Sequence, residues 1–140
     1  MNIIKKLMEI HSSFTDEFLT SEEKLQNEMI KFNQNYDKLV ILSEEIKSFN
    51  IKHPDHKCID NRPRIRIIKD NDFRISIDNT NISTTFNKKS YESLKEVNNW
   101  LVDRYEKNTL QFDLAKQIVK DNILDDKKSL LTLNDIEFER

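Results

Sequence analysis

The sequence predicts an α+β fold: a long N-terminal helix, a three-stranded antiparallel meander and two C-terminal helices. Two changes of pattern and one absence carry that expectation. Apolar residues recur every three or four positions up to residue 50, every second position from Arg64 to Phe86, and every three or four again beyond Ser90. The absence is glycine: none in 140 residues, where average usage gives about ten.

Residues 2–50 hold no Pro or Gly, and their apolar positions form one helical stripe. Phe18, Leu25, Phe32, Leu39 and Ile46 keep a seven-residue repeat, as in a coiled-coil seam. The companion position drifts, at Leu42 three residues after the repeat and at Met29 and Tyr36 four after it, so the partner surface is broader than a two-stranded seam. Unbroken, such a helix is ~75 Å long, more than a domain of this size covers alone. Either it breaks near residue 20, where Thr20-Ser21-Glu22-Glu23 has capping-box form, or a second subunit covers the excess. The reading divides residues 1–50, coiled-coil-like, from residues 51–140, an α+β domain, within one structural unit. It expects a homo-oligomer through Phe18, Leu25, Phe32, Tyr36 and Leu39.

Pro54 and Pro63 bracket a connector, because neither suits a helix interior. Arg64-Ile65-Arg66-Ile67, Phe73-Arg74-Ile75-Ser76-Ile77 and Ile82-Ser83-Thr84-Thr85-Phe86 then alternate like half-buried strands. The expected inner face is Ile65, Ile67, Phe73, Ile75, Ile77, Ile82 and Phe86. Asn and Asp fill both separators and take left-handed turn positions where glycine is missing. Ser90 caps a helix carrying Tyr91, Leu94, Val97, Leu101 and Tyr105. A further helix is expected from about Thr109 to Ile123. The tail, with Leu130, Leu131, Leu133, Ile136 and Phe138, is expected to dock as a short helix or an added strand. Phe73, Ile75, Phe86, Leu94, Val97 and Leu101 are the expected core.

Composition removes whole classes of chemistry. Without glycine there is no P-loop, no G-x-G-x-x-G dinucleotide turn and no G-x-S-x-G nucleophile elbow. The longest apolar run, Leu39 to Leu42, falls far short of the ~20 residues of a membrane span. Lys5, Lys6 and Glu9 interrupt any signal-peptide apolar region. Cys58 is the one cysteine, so a disulfide framework is excluded and a reducing, cytoplasmic setting is expected.

One loop gathers possible ligands: His53, His56 and Cys58, with Asp55 and Asp60 nearby. Zinc sites pair two clusters of such residues, and this chain offers one. A nucleophilic Cys58 with a neighbouring histidine lacks the third, orienting group that working pairs have. Pro54-Asp55 raises the nuclease pattern of Pro-Asp followed by acid-x-Lys on a strand, but no strand carries that triplet. No catalytic residue, metal ligand or cofactor is expected.

The positive signal is basic. Arg64, Arg66 and Arg74 alternate with the apolar strand residues and share the outer face of the sheet, with Arg62 extending the row and Lys69, Lys88 and Lys89 beside it. Net charge is −3 over residues 1–50, +4 over 51–90 and −3 over 91–140. Arginine captures carboxylate or phosphate in a two-pronged geometry, so this face suits an acidic protein or a nucleic acid. The plainer alternative is a solvated face whose arginines pair with Asp78 or the acidic helices. An isoelectric point near 6.0 and the lack of outward aromatics for base stacking weigh against nucleic acid.

The helix–strand–strand–strand–helix order resembles that of double-stranded-RNA-binding domains. Their Gly- and Lys-rich phosphate-contacting segments are missing here, so no family is assigned. The expectation is a non-enzymatic binding protein, a small adaptor, inhibitor or immunity-type protein acting on another protein, with a nucleic-acid-binding regulator using Arg62, Arg64, Arg66 and Arg74 as the alternative.

Overall fold

A computed structural model describes the backbone of residues 20–138 and the side chains of residues 20–124. Two helices and one sheet make up this part: α1 (Ser21–Lys52), β1 (Pro63–Lys69), β2 (Asp72–Ile77), β3 (Ser83–Asn87) and α2 (Tyr91–Phe138). The α+β layout expected from the sequence is present. Its C-terminal part differs, being one helix of 48 residues and not two.

α1 begins where the capping box stands. The Thr20 hydroxyl accepts from the Glu23 amide at 3.1 Å and also contacts the Glu23 carboxylate, meeting one of the amides that the first turn leaves without helical partners. The part of the expected helix before Thr20, including Phe18, lies outside the described residues. At the other end the His53 amide donates to the Phe49 carbonyl, and Pro54 prevents a further turn.

The single long α2 has a local explanation. No Pro or Gly lies between Tyr105 and Thr109, and the buried stripe stays in phase through Leu101, Asn108, Phe112 and Val119. Within the expected gap, the Asn108 side-chain oxygen accepts from Arg104 Nε one turn earlier, at 3.1 Å. Ser90 caps the start, taking the Ser93 amide at 3.2 Å. The backbone stays helical through Phe138, so the tail is neither a separate short helix nor an added strand. The tail side chains from Leu130 onward lie outside the described residues.

The sheet is a β1-β2-β3 meander, antiparallel throughout. Its two turns replace glycine with Asp70 at φ 46° and Asn79 at φ 62°, the left-handed positions anticipated for Asx residues. Contacts advance together along both helices. Glu28 meets Asn98, Phe49 meets Phe112 at 5.4 Å between ring centres, and His56 beyond α1 meets Asn122. The helices therefore run parallel.

Between helices and sheet lies the core of Phe32, Leu39, Ile75, Phe86, Leu94, Val97 and Leu101, with Leu25, Met29, Tyr36, Phe73 and Trp100 packed against it. A second cluster of Leu42, Ile46, Cys58 and Phe112 closes the far end. The helices cover β2 and β3 but not all of β1. Ile65 and Ile67 share the inner face with Ile75 and Phe73, as expected, but they are not core: Ile65 is 39% exposed and Ile67 70%, whereas Ile75 is fully buried. Strand alternation assigns a face. It does not supply a cover for that face.

Candidate functional site

The connector from His53 to Arg62 is held at its middle. The Asn50 side chain accepts from the Cys58 amide at 2.8 Å and donates to the Cys58 carbonyl at 2.9 Å, a pairing that imitates one rung of a strand ladder. The Cys58 side chain thereby enters the second core cluster. Burial pushes its thiol pKa up, with a backbone hydrogen bond at Ile59 opposing, so the reactive thiolate is disfavoured. His53 lies against the Phe49 ring and His56 against the Asn122 amide. Among the described residues no three His, Cys, Asp or Glu side chains are grouped so as to hold a metal ion.

The basic row divides into two kinds of arginine. Arg62 pairs with Glu44 of α1, and Arg64 Nε donates to both Asp78 oxygens at 3.1 and 2.9 Å. These two behave as the internally paired alternative expected. Arg66 and Arg74 do not. They stand directly opposite each other on β1 and β2, neither has an ion pair among the described residues, and Arg74 Nε is buried without a hydrogen-bond partner. Like charges facing across strands are unfavourable. An acidic group arriving at this pair offsets that repulsion. Lys88 and Lys89 sit exposed in the β3–α2 turn, tied by their amides to the Asn71 carbonyl and the Asn87 side chain.

β1 is an edge strand, and its hydrogen-bonding pattern is determined by one contact. The Asp78 amide donates to the Arg62 carbonyl at 2.9 Å. Antiparallel ladders alternate, so Arg64 and Arg66 point their amides and carbonyls at β2. Pro63, Ile65 and Ile67 point theirs at the open edge. Pro63 has no N–H, and its carbonyl is already taken by the Tyr36 hydroxyl at 2.9 Å. A shift of register between Ile67 and Lys69 ends the regular run. What remains, among the described residues, is a short open stretch offering the amides and carbonyls of Ile65 and Ile67. It carries isoleucines on one face and the unneutralised Arg66–Arg74 pair on the other.

The residues expected to self-associate are placed differently. Phe32 and Leu39 are buried in the core, and Leu25 and Tyr36 pack against it. Burial raises the Tyr36 hydroxyl pKa, with nearby Arg62 and Arg64 opposing. The exposed apolar stripe is elsewhere, at Leu110, Leu114 and Ile118 on the side of α2 away from its buried residues. The sequence reading missed the open β1 edge, although the order of strands contains its signal: a three-stranded meander leaves its first and last strands unpaired on one side. Among the described residues no helix is long and apolar enough to cross a membrane.

Compared with family models, curated proteins and solved structures, the chain matches none.

Proposed function

We propose that this chain is a non-enzymatic, cytoplasmic protein-binding module of the adaptor, inhibitor or immunity type, and that it engages its partner through the open edge of β1. One observation carries the reading: the inner face of the sheet continues past its helical cover, leaving Ile65 and Ile67 exposed beside backbone groups that no described residue pairs. Exposed apolar side chains on an open strand edge favour association, because contact removes apolar area from water and pairs the ladder. The test is cross-linking in extract of the source cell, wild type against an Ile65→Asp/Ile67→Asp double variant. The reading expects one specific partner, retained at high salt by the wild type and lost by the variant. The same partners captured by both proteins contradict it.

Nucleic-acid binding is the second reading, and the Arg66–Arg74 pair favours it. Against it, Arg62 and Arg64 are already neutralised by Glu44 and Asp78. That leaves few cations to displace counterions, so any such binding should be weak and its salt dependence shallow.

A further inference from the structure

We infer that the partner reaches this edge as an extended segment in which acidic and apolar residues alternate, and that it joins the sheet beside β1 as a fourth strand. The inference rests on the protein-binding reading above and gives that partner a chemistry.

The geometry of the edge dictates the pattern of the segment. An incoming antiparallel strand satisfies the outward amides and carbonyls of Ile65 and Ile67, so its residues opposite these two make the hydrogen-bonded pairs. Their side chains then fall on the inner face, against Ile65 and Ile67, and apolar groups are favoured there. The residue between them falls on the outer face, beside Arg66. A carboxylate at that position meets a guanidinium that has Arg74 on its other side and no acid in reach among the described residues. The flanking residue, opposite Arg64, lies near an arginine that Asp78 already holds, so acid counts for less there. Pro63 and the Tyr36 hydroxyl close one end of the edge, and the register shift after Ile67 closes the other. The segment is therefore short: from its N-terminus, apolar opposite Ile67, acidic opposite Arg66, apolar opposite Ile65, and a less constrained residue opposite Arg64.

Two other occupants fit less well. A second copy pairing β1 with β1 in an antiparallel two-fold arrangement sets arginine against arginine. Centred on Arg66 it opposes the two copies of that residue, and centred on Ile65 it opposes Arg64 to Arg66. A nucleic acid uses the arginines but leaves the isoleucines and the unpaired amides of the edge without a role. Basic residues and bulges also blunt strand edges against aggregation. That function needs no ligand, so the test includes it.

The experiment is a nuclear magnetic resonance titration of the full chain with synthetic peptides. One alternates glutamate with valine, one alternates lysine with valine, and one has the glutamate–valine composition in blocks. A mixed-sequence single-stranded oligonucleotide is the fourth probe. The expected result is binding of the glutamate–valine peptide at least tenfold tighter than the other two peptides. Amide shifts should centre on residues 64–67 and 73–76, with new exchange protection at Ile65 and Ile67. In the Arg66→Glu variant, whose exposed position lets it fold, the preference should turn to the lysine–valine peptide. Equal binding of all three peptides overturns the inference, as does an unchanged preference in Arg66→Glu. If no peptide binds while the cross-linked partner is still lost from the isoleucine variant, strand addition is wrong and protein binding stands. Oligonucleotide binding centred on Arg66 and Arg74, with no peptide bound, overturns both.

Discussion

Ile75 and Ile67 are the same residue type on the same face of the same sheet, one strand apart. The first is fully buried and the second is 70% exposed. Over β2 and β3 the sheet lies under Phe32, Leu39, Leu94, Val97 and Leu101. Toward β1 that cover thins to Tyr36, whose hydroxyl reaches only as far as the Pro63 carbonyl. The difference separates two uses of one sequence pattern. Alternation in β2 builds the fold, whereas alternation in β1 presents a surface.

Mutation gives the sharpest way to break that comparison. Ile75→Ala should cost about 2–5 kcal/mol, the usual loss for a buried isoleucine. Ile67→Ala should change stability by no more than about 0.5 kcal/mol, as at an exposed site. Urea titrations of both variants measure the gap, and equal losses would mean that β1 is covered after all. A second contrast concerns polar groups. Asn98, buried, donates to the Glu28 carboxylate and backbone carbonyl at 2.8 and 3.0 Å. Asn98→Ala should cost about 1–3 kcal/mol, because it leaves a buried carboxylate oxygen and a backbone carbonyl without their donor. Removing the exposed Arg64–Asp78 pair by Arg64→Ala should cost less than about 1 kcal/mol.

The covered region should also fail first in alkali. Burial raises the pKa of the Cys58 thiol and of the Tyr36 hydroxyl above their ordinary values. Both groups bind their protons more tightly folded than unfolded, so their contribution is fully present below the unfolded values. It is lost as pH rises through the folded ones, and unfolding midpoints in urea should decline from about pH 9 upward. In Cys58→Ala and Tyr36→Phe that decline should be shallower. A midpoint that holds constant to pH 11 would contradict the burial assigned to both groups. The smallest expected effect lies at the open edge: Arg66→Thr should stabilise the chain by about 0.5 kcal/mol, by relieving the opposition of Arg66 and Arg74. A loss of similar size would show that Arg66 has a stabilising partner.

Legibility from the sequence followed the range of each interaction. The capping box at Thr20, the three strands, the Asx turns and the cap at Ser90 are local patterns, and each was readable. The arginine row was readable as a face for the same reason. Asp78 and the acidic helices were readable as pairing candidates, but the division was not: Arg62 is neutralised by Glu44 and Arg64 by Asp78, and nothing in the pattern says that Arg66 and Arg74 are the two left over. The expected second start near Thr109 was misread, because the helix runs on through Asn108, a residue poor in helix propensity that Arg104 holds. Phe32 and Leu39 read as a seam for a second subunit because periodicity records that a stripe is covered and not by what. Here α2 and the sheet of the same chain cover it.

The central claim is that the outer edge of β1 stands open, and residue-resolved amide hydrogen exchange of the isolated protein tests it most directly. The account predicts slow exchange at Arg64 and Arg66, whose amides enter the ladder with β2, and fast exchange at Ile65 and Ile67 between them. Slow exchange at all four amides would contradict it, because the edge would then already be paired in the free protein.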